Sequence, residues 1–206
     1  MRTVRALRCL LLAALAGAAG SCSDSSAPSD GPRPSGELNV VRVAPTSAPL
    51  YNPVDSFYAV RGDDREVRIY FQDDKGAPGE EYLRLRVDAP TLLARPDGSP
   101  FTTGDSVLIH VRVVDPSQML FELEPSGLKF NPLVPARLVI HYDHADGDLN
   151  DDGAVDGNDT AVEGTLAIWR QETPSDPFVR LGSVLTAELD EAEAGLTGFS
   201  RYALAY

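Results

Sequence analysis

The chain has 206 residues, 43% of them hydrophobic, with 17 glycines and 16 prolines, a turn-rich but foldable composition for one or at most two domains. Eighteen basic side chains stand against thirty-one acidic ones, a formal charge of -13. Such a surface opposes binding to nucleic acid and to anionic lipid, and it attracts divalent cations or basic partners; solubility alone is the plainer reading.

The opening, MRTVRALRCLLLAALAGAAGSC, has an arginine-bearing start, an apolar run from Cys9 to Ala19 and small residues before Cys22. The run is too short and too asymmetrically flanked for a membrane span, so residues 1–21 read as an export signal. With Arg2, Arg5 and Arg8 in that signal, the remainder keeps fifteen basic side chains and is nearer -16. The end of the signal, Ala19-Gly20-Ser21-Cys22, resembles the bacterial lipoprotein processing box, with Ala19 where leucine is preferred. That resemblance implies lipidation of Cys22 and a membrane lipid as its partner, in the outer membrane or at the cell surface. Ordinary secretion is the alternative. Cys9 and Cys22 are the only cysteines, and Cys9 leaves with the signal, so no intramolecular disulfide is expected. Residues 22–37, dense in Ser, Pro, Asp and Gly, read as a flexible tether.

The domain proper is expected over residues 38–206, with its true start between Leu38 and Asp64. LNVVRV suggests a first strand, followed by the proline-broken APTSAPLYNPVDSF. Period-two runs then dominate. Val67, Ile69 and Phe71 share one side of EVRIYF, and Leu83, Leu85 and Val87 share one side of YLRLRV. In SVLIHVRVVD, Val107, Ile109, Val111 and Val113 oppose His110 and Arg112. MLFELEP, ARLVIHY, TLAIWRQ, FVRLG, SVLTAELD and RYALAY continue the series between turn segments such as DDKGAPGE and ARPDGSP. Eight or nine such runs without a helical stripe predict an all-β antiparallel two-sheet β-sandwich, with an acidic EF-hand-like loop inserted between strands.

In FELEPSGLKFNPLVPARLVIHY, Pro125 fixes φ before a turn and Gly127 is able to supply positive φ. Leu128 and Phe130 return to the core at alternate positions, and Pro132 closes the strand. Glu124 to Pro132, with the following strand Ala136 to Ile140, resembles the G-P-x-G-x-x-F-x-x-P-x-x-L signature of the β-sandwich domain first recognised in ankyrins and netrin receptors. The ending GFSRYALAY, with Phe199 and Tyr202, is similar to the way those domains finish. Here Glu124 stands in place of the usual Gly, and Pro132 follows Phe130 after one residue. The resemblance covers residues 106–206 and implies a sandwich with a structural or interaction role.

The most acidic stretch is DGDLNDDGAVDGND. With Asp148 as position 1, Asn150, Asp152, Ala154, Asp156 and Asp159 fall at positions 3, 5, 7, 9 and 12, where an EF-hand loop presents oxygen ligands. Gly153 stands at the sharp turn and Val155 at the apolar anchor. Asp159 departs from the usual glutamate and resembles the calcium loops of dockerin modules, D-x-N-x-D-G-x-V/I-x-x-x-D. A single loop, followed by TAVEGTLAIWRQE with room for one helical turn before Gly164, does not imply a dockerin fold or cohesin binding. Ca2+ is the expected ion, against a solvent-exposed acidic hairpin or another cation.

Catalytic patterns are sparse. His141 and His144 flank the start of the loop without HExxH or paired cysteines, and no serine sits in a nucleophile elbow. Trp169 is expected in or near the core, or else exposed as a binding aromatic. The expected function is therefore a non-catalytic cell-envelope lipoprotein that serves a structural role or binds an envelope protein or a polysaccharide. One alternative is a carbohydrate-binding accessory module using exposed aromatics such as Tyr70 or Trp169. The other is a small extracellular hydrolase, which requires a deep polar pocket with a competent nucleophile and base.

Overall fold

The computed structural model describes residues 31–206; the expected signal, Cys22 and the first part of the tether lie outside them. Among the described residues there are thirteen strands, all pairing antiparallel. They are β1 (Val54–Val60), β2 (Arg65–Gln72), β3 (Pro78–Val87), β4 (Leu92–Ala94), β5 (Ser106–Asp115), β6 (Leu120–Glu124), β7 (Lys129–Phe130), β8 (Ala136–His141), β9 (Ala167–Gln171), β10 (Val179–Arg180), β11 (Ser183–Thr186), β12 (Glu191–Leu196) and β13 (Arg201–Ala205). Among the same residues one α-helix, α1 (Gly157–Glu163), interrupts the series, and two single-turn 3-10 helices span Ser35–Glu37 and Ala187–Leu189.

The strands form a six-stranded sheet, β1-β5-β6-β13-β9-β10, and a five-stranded sheet, β11-β12-β8-β3-β2, around one core. A third sheet of two strands, β4-β7, corrects the two-sheet expectation to a sandwich-like arrangement of three. The alternation explains the packing: Ile109, Val111 and Phe121 from one large sheet meet Leu83, Leu85 and Leu138 from the other, all fully buried. Each such side chain contributes about 1.5–3 kcal/mol of transfer free energy. LNVVRV is not a ladder strand. It crosses the end of the sandwich through isolated bridges Val40 to Ala205, Arg42 to Gln118 and Val43 to Ala145, and Leu38 packs with Trp169 and Phe178 on the outer face of the six-stranded sheet.

Strand β3 carries a bulge. Ile69 faces Leu83 while Tyr70 faces Glu81, so Tyr82 is an extra residue on β3. Tyr82 and Leu83 are consequently both buried, and the Tyr82 ring lies between Phe71 and Phe121 at 4.8 and 5.5 Å. Before the bulge Glu80 falls on the core side of the strand; beyond it Arg84 and Arg86 point outward.

The EPSGLKFNP segment and the chain's last strand pack on each other. Pro125 follows a cis peptide bond, Gly127 takes φ +79°, and Pro132 lies in the exposed turn after β7. Phe130 meets Phe199 edge to face at 4.8 Å, and the buried Tyr202 hydroxyl donates to the Gly198 carbonyl at 2.5 Å. Burial pushes that hydroxyl up to about 12. A side chain at Gly198 would put its Cβ 2.7 Å from the Leu128 carbonyl oxygen, so this crossing requires glycine.

Candidate metal centre

The segment between β8 and β9 curls through its own side chains. The Asp148 carboxylate accepts from the amides of Asp152 at 3.1 Å and Gly153 at 2.8 Å, and Asn150 Oδ1 accepts from Asp152 at 2.9 Å. Asp152 accepts from the Ala154 amide at 3.0 Å and from Asn150 Nδ2 at 3.1 Å. Gly153 has φ +86°, where a side chain would be strained. Asp159 closes the loop: its carboxylate takes the amides of Asn150 at 3.2 Å and Asp156 at 2.7 Å. Those donors, the Asp156 amide foremost, hold its carboxyl below the usual range. Although charged, Asp159 is only 4% exposed.

The loop then becomes α1, a seven-residue helix and longer than the one turn expected. Asp156 is its N-cap and forms a reciprocal capping box with Asp159. Sequence spacing assigns Asp156 to the ligand ring, but its side chain is engaged at the helix amides, including Asn158 at 2.7 Å. Val155, the expected apolar anchor, does not enter the core: it is 74% exposed. Leu149 packs inward instead, and its carbonyl accepts from the Tyr206 hydroxyl. Arg42 supplies a counter-charge, 2.9 Å from Asp151 and 3.6 Å from Asp146.

The loop carboxylates satisfy loop amides. The tightest gathering of ligand-type side chains lies nearby: Glu80, Asp143 and His144 place one ligand atom each within 4.8 Å of one another, the one such set among the described residues. His144 Nε2 is 2.6 Å from Glu80 and 3.8 Å from Asp143, while its ring stacks on Phe71 with centroids 4.0 Å apart. An imidazole held this way with two carboxylates suits a divalent cation. Sequence reading singles out His144 but not Glu80, which lies sixty-four residues away on β3 and is brought in by the bulge. Between this cluster and the loop lies a hollow of about 250 Å³, walled by Tyr142, Asp146, Asp156, Asp159 and Glu163. Burial, then the Glu163 carboxylate, raises the Tyr142 hydroxyl well above its ordinary value.

Nucleophilic catalysis finds no such arrangement. His141 faces Glu81 and Glu191 at 3.1 and 3.6 Å, and among the described residues no serine, threonine or cysteine side chain is hydrogen-bonded to an imidazole. Trp169 is buried, with Nε1 donating to the Ala205 carbonyl at 3.2 Å, so it is not a surface-binding aromatic. No described helix is long and apolar enough to cross a membrane. Compared with protein-family models, curated proteins and solved structures, the chain matches none.

Proposed function

We propose that this protein is a non-catalytic cell-envelope lipoprotein, held to the membrane through a lipidated Cys22, whose β-domain is stiffened by Ca2+ at residues 148–159 and serves a structural or binding role. The observation that carries the calcium reading is the closed loop itself, in which Asp148, Asn150, Asp152 and Asp159 all fold back onto amides of the same twelve residues. Calcium takes six to eight hard oxygens, and this donor set fits: Asp148, Asn150, Asp152 and Asp159 offer side-chain oxygens, and Ala154 a carbonyl. Asp156 would join directly or through water only by relaxing its hold on α1. A cation here would offset the mutual repulsion of the loop aspartates, so binding and local ordering are coupled.

The second reading places the cation at Glu80, Asp143 and His144, favoured by their mutual approach. A nitrogen ligand there prefers a transition ion over calcium.

One experiment separates the two. After chelation, thermal unfolding is followed with calcium or zinc for the wild type, for Asp148→Ala with Asp152→Ala, and for His144→Ala. Calcium at a hundredfold excess over its Kd should stabilise the wild type by about 2.7 kcal/mol, an increment the double variant loses and His144→Ala keeps. A wild-type melting temperature indifferent to calcium overturns the loop reading. Stabilisation by zinc alone, abolished in His144→Ala, replaces it with the second. For the anchor, Cys22→Ala should move the protein from the membrane fraction to the soluble one.

A further inference from the structure

On the outward face of the five-stranded sheet of this acidic chain, arginines cluster among interleaved acids, with Arg86 paired to Asp88 and Asp64. Two adjacent rows run across it in register: Glu66, Arg86 and Arg137, then Arg68, Arg84, Val139 and Glu193. Arg68 sits directly opposite Arg84, and Arg86 directly opposite Arg137, so like charges face each other twice where cross-strand repulsion destabilises a sheet. Four guanidiniums thus meet in a chain with thirty-one acidic side chains against eighteen basic ones.

The rows enclose a hollow of about 290 Å³. Its floor is Val139, which points outward yet is only 5% exposed, covered by the stems of the surrounding charged side chains. The guanidiniums are unevenly neutralised. Arg68 is held by Glu66 at 2.8 Å and Glu81 at 3.0 Å, whereas Arg84 Nε reaches Glu81 at 3.5 Å and Arg137 approaches Asp88 at 3.9 Å, the outer limit of an ion pair. Neither Arg84 nor Arg137 has the two parallel bonds that a guanidinium fork makes with a carboxylate.

We propose that this face binds a carboxylate-bearing saccharide, a uronate, with Arg84 and Arg137 gripping the sugar carboxylate. Charge complementarity selects an anion, and the flanking acids select which kind. Glu66 and Glu193 at the corners of the hollow repel densely charged polymers but accept hydrogen bonds from hydroxyls, the pattern of a ring with one carboxylate and several OH groups. The overall acidity of the chain works against nucleic acid in the same way. Tyr70, two residues beyond Arg68 on the same half-exposed face, offers an aromatic surface at the margin of the hollow. This site is separate from the calcium reading and does not depend on it.

The test is calorimetric titration of the full chain with oligogalacturonate at low salt, in a chelator because calcium cross-links polyuronates. Saturable binding is expected, weakened about tenfold or more in Arg84→Gln with Arg137→Gln. Arg84→Lys with Arg137→Lys should recover only part of it, because the charge returns without the fork. Arg112→Gln, on β5 of the other sheet, should bind like the wild type. All these positions are on the surface, and circular dichroism confirms folding. No saturable binding by the wild type overturns the proposal, as does full recovery in the lysine variant, an equal loss in Arg112→Gln, or equal affinity for polyglutamate or DNA.

Discussion

Within residues 148–159, hydrogen bonds join groups between two and nine residues apart, whereas on the five-stranded sheet Arg86 and Arg137 meet only because β3 and β8 pair. The first surface is a local design, in which side-chain spacing dictates the curl of the backbone and the repulsion of its own charges limits its stability. The second is assembled by the fold, and its repulsions are carried by the core beneath. A perturbation of the core should therefore reach both surfaces, while one within the loop should stay there.

The largest expected effect breaks the foundation common to both. Tyr82→Ala removes a fully buried ring between Phe71 and Phe121 and should cost about 3–5 kcal/mol in urea unfolding. Asp156→Ala removes the N-cap of α1 and should cost about 1 kcal/mol. Its exchange signature sharpens the contrast: amide protection should fall over residues 148–163 and remain unchanged in β3 and β8. Arg42→Ala should change stability by no more than about 0.5 kcal/mol. It should nevertheless enlarge the calcium-induced rise in melting temperature, because a competing cation beside Asp146 and Asp151 is gone.

Acidification gives the smallest effect per group. Asp97, held down first by the Ser99 hydroxyl, Asp105 by the Thr102 amide and Asp115 by the Ser117 amide all lie below the usual carboxylate range. Glu122 is also lowered: burial pushes the other way, but its pairing with Arg112 and Arg201 outweighs it. A depressed folded-state value stabilises above the unfolded pKa, near 4, and that stability is lost as pH falls through the lower folded values. Melting temperatures should therefore be level above about pH 5 and fall below about pH 4.

Legibility in the sequence followed the same division between local and assembled structure. Period-two runs such as Val67, Ile69 and Phe71 marked core-facing strands because alternation is a local property of the chain. Strand β12 is not legible in EAEAGL because glutamate and alanine favour helix over strand, and its place between β8 and β11 makes it a strand with Ala192, Ala194 and Leu196 inward. LNVVRV looked like a strand by composition, yet its bridges go to three different segments and form no ladder. The acidic loop was visible from spacing alone. The Glu80, Asp143 and His144 cluster was not, because no local pattern announces which acid a distant bulge will deliver.

That bulge has a reach beyond its own strand. Because Tyr82 is supernumerary, a single strand sends an acid to one side of its sheet and two arginines to the other. A regular ladder, with Tyr82 opposite Tyr70, would reverse the parity upstream: Tyr82 would leave the core and Glu80 would turn to the outer face. The imidazole of His144 would then lose its nearest carboxylate, so one supernumerary residue is what lets a single strand serve both chemistries.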